Sequence, residues 1–126
     1  MTLVAQISAL ATSIASQVMI ARRGRYVSID AKTGTSYTLA AADEGKLITL
    51  GSASATTLTL PSDTTAAIPV GARIDIVRAG AGAVTIAPGS GATVNATPSL
   101  TLRAQWSTAS AIKRAANSWL VVGDLT

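Results

Sequence analysis

A mainly β domain, folded as an antiparallel sandwich or barrel and preceded by one α-helix, is the fold class that this 126-residue sequence predicts. Three observations predict it. The chain changes character once, near residue 24: no Pro or Gly precedes that point, and turn-forming clusters recur after it. Between those clusters, Val, Ile, Leu and Thr alternate with polar or small residues, the pattern of half-buried strands. The aromatic side chains are few (Tyr26, Tyr37, Trp106 and Trp119, with no Phe), so the core must be aliphatic and largely β-branched, which suits a pleated surface. The boundary divides the chain into a helix over 1–24 and a β-domain over 25–126.

In the first part, Leu3, Ile7, Leu10 and Ile14 fall at spacings of four, three and four, a narrow apolar stripe of coiled-coil type. Val18 continues it with one slipped step, because Gln17 occupies the strict heptad position. Thr2 is placed to cap the N-terminus, Arg22 and Arg23 lie at the negative end of the helix dipole, and Gly24 is a terminator. Residues 2–21 carry no charge and an arginine cluster follows, so a membrane span is one reading by length. Against it, Thr2, Gln6, Ser8, Thr12, Ser13, Ser16 and Gln17 are polar. A signal peptide would open on basic residues, and MTLVAQ has none. The stripe is therefore expected to be covered by copies of itself or by another protein. Packing on the chain's own β-domain is the plainer alternative. Leu3, Ile7, Leu10, Ile14 and Val18, with Arg22, Arg23 and Arg25, are the candidate contact residues.

The expected strands cover residues 26–30, 36–40, 46–50, 56–60, 72–79, 83–87, 92–96, 99–104, 110–116 and 118–124. The breakers between them include KTGT, DEG, PSD, the Gly80–Gly82 loop, PGSG and Asn117–Ser118, spaced as in an antiparallel sandwich or barrel. Alternation turns Leu58, Leu60, Ile74, Ile76, Val84, Ile86, Leu100 and Leu102 inward. It turns Asp75 outward. The two glycine-rich loops are expected to close hairpins, with glycine supplying positive φ. Trp119 is expected to cover one end of the core and Trp106 to clamp the opposite rim.

Residues that do chemistry are scarce. There is no His, no Cys and a single Glu, while Ala, Thr and Ser fill 55 positions. Ser–His and Cys–His catalysis and thiolate metal sites are excluded by composition. A Ser–Lys pair needs a buried lysine, and Lys32, Lys46 and Lys113 are each flanked by polar or turn residues. Asp30, Asp43, Glu44, Asp63, Asp75 and Asp124 show no Ca²⁺-loop spacing, and neither glycine-rich loop carries the GK[ST] ending of a phosphate loop. No catalytic residue, cofactor or metal is expected. The net charge of +4 is local, since without Arg22, Arg23 and Arg25 seven basic residues face six acidic ones. That distribution argues against nucleic acid as a partner.

The ordered set SYTLAAADEGKLITL, SASATTLTLP, PVGARIDIVRAGAGAVTIAP, the Gln105 region, AIKRAANSW and the terminal GDL resembles a small β-domain of tailed-bacteriophage virion proteins. These include capsid decoration (head-fibre) and minor tail proteins, and the resemblance spans residues 36–125. It implies a non-enzymatic virion component, commonly oligomeric, with the β-domain displayed outward. One helix with no internal repeat or shaft-forming tract fits a capsid decoration protein held by that helix, with the major capsid protein as partner and no membrane. The alternative is a tail or fibre tip that binds a host surface glycan through its loops or tryptophans. A homotrimer follows from the resemblance and the threefold positions of capsids, whereas the heptad residues by themselves lean toward two strands.

Overall fold

The computed structural model describes residues 2–22 and 25–126, with side chains outside the description over 17–22. One helix, α1 (Leu3–Arg22), is followed by nine strands. They are β1 (Ile29–Lys32), β2 (Ser36–Thr38), β3 (Leu47–Leu50), β4 (Thr56–Leu60), β5 (Arg73–Arg78), β6 (Val84–Pro88), β7 (Thr93–Ala96), β8 (Thr108–Ala115) and β9 (Ser118–Gly123). The chain is thus mainly β with one N-terminal helix. The Thr2 side chain accepts from the Ala5 amide (3.2 Å), the cap expected of it.

The strands do not form an antiparallel sandwich or barrel. Odd strands β1, β3 and β5 pair in parallel in one sheet, and even strands β2, β4 and β6 pair in parallel in a second. The chain therefore winds as successive coils, β1–β2, β3–β4 and β5–β6, each turning from one sheet into the other, as in a solenoid. The first sheet then becomes mixed. Strand β8 adds antiparallel to β5, β9 antiparallel to β8, and β7 parallel to β9, giving the order β1-β3-β5-β8-β9-β7. The expectation failed on direction for a physical reason. Alternation reports that one face is buried, and a short link can close a hairpin or carry the chain across to the other sheet. Residues 99–104 form no strand and contribute only the isolated bridges Thr85–Thr101 and Leu102–Leu125.

The glycine-rich loops are turns between sheets, not hairpins. Residues 79–83 stack on residues 51–55 through Ala79 and Gly80 N–H to Leu50 O (2.8 and 3.0 Å) and Gly82 N–H to Ser52 O (3.0 Å). A Cβ on Gly80 would lie 2.2 Å from Ser52 O, and one on Gly82 2.0 Å from Ser54 O. Glycine is required there by the close approach of two backbones, whereas Gly91 does take a positive φ of 82°.

The core fills the space between the two sheets. Parallel partners share a face, so Ile48 and Ile76 form one inward column and Leu58 and Ile86 another, all at most 1% exposed. Leu60, Ile74, Val84, Leu102 and Trp119 complete it. The expected inward residues are buried, Leu100 in part. In the first coil the same inward positions hold Asp30 opposite Ile48, Lys32 opposite Leu50 and Tyr37 opposite Leu58. A polar and aromatic layer closes this end of the core.

Candidate functional surfaces

The helix stripe is uncovered. Leu3, Ile7, Leu10 and Ile14 are 56–70% exposed, and every residue from Thr2 to Ser16 is exposed, so the stripe does not pack on the β-domain. Arg25 is exposed as well. The side chains of Val18 and Arg22, and all of Arg23, lie outside the described residues. No helix among the described residues is long and apolar enough to cross a membrane.

Immediately after the helix, the chain is stitched to the outer face of the six-stranded sheet. Val27 N–H donates to Gly45 O (2.9 Å), and Gly45 N–H to Arg73 O (2.9 Å). The Tyr26 hydroxyl donates to Asp75 Oδ2 (2.5 Å), Ser110 Oγ donates to Asp75 Oδ1 (2.5 Å), and Arg73 Nε donates to the same oxygen (2.9 Å). Asp75 does point outward, but Tyr26 covers it and it is buried. Burial pushes its carboxyl up, while the hydrogen bonds from Arg73, Ser110 and Tyr26 outweigh burial and hold it below the usual carboxylate range. The hydrogen bond to Asp75 raises the Tyr26 phenol.

The first-coil end is closed by a polar network. Asp30 pairs with Lys32 (3.4 Å) and Lys46 (3.5 Å), and Lys46 reaches Asp43 (3.6 Å). The Tyr37 hydroxyl and the Ala40 amide both donate to Asp43 Oδ2 (2.6 and 2.9 Å), and Lys32 lies 4.5 Å from the Tyr37 ring. Burial, then the Asp43 bond, raises the Tyr37 phenol. This is the local bonding expected of an aspartate in a turn.

Lys113, whose polar and turn neighbours argued against a buried lysine, is fully buried. It bonds to the Asp63 carboxylate and donates to Ile68 O (3.2 Å), with the Trp119 ring 5.2 Å away. That hydrogen bond from Lys113 lowers the Asp63 carboxyl. The signal was present in the alternation of β8, where Ala109, Ala111 and Lys113 share the inward face. Trp119 is buried as expected, and its indole N–H donates to Pro61 O (2.9 Å).

Trp106 departs from its expected role. It is 68% exposed and sits at φ 71°, the left-handed region that a bulky residue rarely adopts. The turn holding it is fixed by Trp106 N–H to Arg78 O (2.6 Å), Gln105 Nε2 to Ala79 O (2.9 Å) and Ala104 N–H to Ser107 Oγ (3.0 Å). Ser107 Oγ in turn donates to Asp124 (2.6 Å), which Arg103 clamps through two bonds of 2.7 and 2.9 Å. The Arg103 and Ser107 bonds lower the Asp124 carboxyl. A flat aromatic surface is thereby presented to solvent on a rigid turn. No pattern in the sequence distinguishes this from a packed tryptophan.

The five aspartates are all held by these contacts, and among the described residues no group of three or more His, Cys, Asp or Glu is placed to hold a metal ion. A shallow groove of about 500 Å³ between Val94–Thr97 and Leu120–Gly123 contains no titratable side chain. No family model, curated protein or solved structure matches the chain.

Proposed function

We propose that the chain is a non-enzymatic structural protein of a tailed-bacteriophage virion. In this reading it is a capsid decoration protein of the head-fibre or cement type. It acts as a homotrimer, attaches to the major capsid protein through its N-terminal helix and displays its β-domain outward on the capsid surface. The observation that carries this reading is the uncovered stripe of Leu3, Ile7, Leu10 and Ile14 beside a β-domain whose core closes without it. An isolated helix of this length is marginal in water, so the stripe calls for a partner surface. The β-domain, with its aspartates held in ion pairs and hydrogen bonds, suits display better than turnover. The test is the copy number in purified virions by quantitative mass spectrometry. A number comparable to that of the major capsid protein supports the reading, and a single ring's worth refutes it.

A specific observation favours the second reading, a tail or fibre tip that binds a host glycan. The exposed indole of Trp106 on its fixed turn has the form of a stacking platform for a sugar ring. Because Trp119 is buried, quenching of exposed-indole fluorescence by added oligosaccharide, lost in Trp106→Ala, would report that contact.

A further inference from the structure

We infer that the outer face of the six-stranded sheet is covered by sister copies of this chain in the assembled protein. This rests on the reading of α1 as the assembly element and adds a second surface to it. The argument starts from the tether. From Arg22, where α1 ends, to Tyr26 the chain spans at most about 14 Å, at roughly 3.5 Å per residue. Packed helices lie about 8–10 Å apart. Tyr26 is therefore within about 20 Å of the axis of any bundle that the helices form. Its hydroxyl is bonded to Asp75 on β5, one of the two central strands of the sheet. The attachment point is the middle of a sheet face, not an edge. A domain of about 100 residues has a radius of gyration near 13 Å. Domains tethered this closely, each by the middle of the same face, are brought together on that face.

The face is built for such contact. Its lateral row runs Ile29–Leu47–Asp75–Ser110–Val122 by strand register. The one charge in this row is Asp75, which Arg73 neutralises, so the row meets its copy without like-charge repulsion. Apolar side chains flank the tether on both sides. Ile29 is 67% exposed on one flank, and Val122 is 46% exposed on the other, next to partly buried Leu120.

The experiment uses the full chain, which has no cysteine of its own. Val122→Cys and Ile29→Cys place a thiol on either flank of the face, and Val70→Cys places one in an exposed link elsewhere. Each is made alone and also with Ile7→Asp plus Ile14→Asp. Light scattering gives the mass, circular dichroism confirms the β-domain, and the initial alkylation rate reports exposure. The double aspartate is expected to lower the mass. The thiols at 122 and 29 should then react about tenfold faster, the factor for a surface covered nine-tenths of the time, while position 70 is unchanged. Equal rates at 122 and 29 despite the lost mass would overturn this inference and leave the helix reading standing. Acceleration at all three positions would overturn the assignment to this face. An unchanged mass would overturn the helix reading, and this inference with it.

Discussion

Substituting Gly82 by alanine tests the winding of the chain at its tightest point. The new Cβ would lie 2.0 Å from Ser54 O and 2.4 Å from Ser54 C, both backbone atoms that cannot rotate away. To reach even 3.0 Å, the stacked turns must separate by about 1 Å. That movement stretches the bond from Gly82 N–H to Ser52 O from 3.0 Å to about 4 Å, beyond hydrogen-bond range. One or two lost bonds cost about 0.5–1.5 kcal/mol each, and overpacking adds about 1–3 kcal/mol. Restricting the unfolded chain returns about 0.4–1 kcal/mol. The net destabilisation is about 2–4 kcal/mol, a fall in Tm of about 10–20 °C for a domain of this size. Gly34→Ala is the control. It lies in the first turn of the same stack, its Cβ would sit 3.9 Å from its nearest neighbour, Ser36 O, and it needs no left-handed φ. Its Tm should stay level or rise slightly. Urea and thermal melts followed by the fluorescence of buried Trp119 measure both. If Gly82→Ala melts with the wild-type chain, the two turns are not in contact and the parallel winding is refuted.

Three further outcomes follow from the same contacts. A chain of residues 25–126 should unfold in one cooperative transition, since residues 2–16 are exposed and cover none of the β-domain; a non-cooperative melt would show that the helix is needed. Asp63→Ala should lower Tm more than Lys113→Met, because the first leaves a buried ammonium without its carboxylate and the second removes the buried charge; adding Lys113→Met to Asp63→Ala should restore most of the loss. For acid, the carboxyls of Asp63, Asp75 and Asp124 are lower in the folded chain than the unfolded value near 3.9. Their stabilisation is complete above about pH 5 and is lost as pH falls through the lower folded values, so Tm should be flat from pH 7 to about 5 and drop below about 4. A Tm that already falls between pH 7 and 6 would contradict this.

The strands were legible because burial of one face writes itself into the sequence residue by residue. TTLTL places Leu58 and Leu60 inward whatever lies beside it, and that much was read correctly. What lies beside it is a matter of pairing between distant segments. Ile48 meets Ile76 across an insertion that no local period marks. The coils were missed for a related reason: from β1 to β3 the register advances from Ile29 to Leu47, and from β3 to β5 it runs from Leu47 to Asp75, so the repeat has no constant length. Glycines 80 and 82 looked like hairpin residues because close approach and positive φ select the same amino acid. Lys113 could have been placed inward from Ala109 and Ala111, but its charge argued for the surface, and Asp63, fifty residues away, was not visible as its partner. Trp106 could not be read at all. Its exposure is set by a turn whose anchors, Arg78 and Asp124, come from two other parts of the chain.

The polar closure of the first coil bears on how assembly is limited. A parallel coil stack ends in two strand edges, here β1 and β2, with backbone groups ready to pair with another chain. Had Asp30, Lys32 and Tyr37 been aliphatic like Ile48, Leu50 and Leu58 below them, the end of the core would be an apolar surface of the same width as a coil. A second β-domain could add there head to tail, and contacts of that kind run on into filaments. With Asp30 between Lys32 and Lys46, and Tyr37 bonded to Asp43, such addition would bury a charged network against an aliphatic layer, which costs more than the apolar contact returns. The solenoid end is thereby withdrawn from association. That leaves contact to the helix stripe and the sheet face beside it. In the proposed assembly both can be satisfied around one axis, and contacts that close around an axis do not run on into filaments.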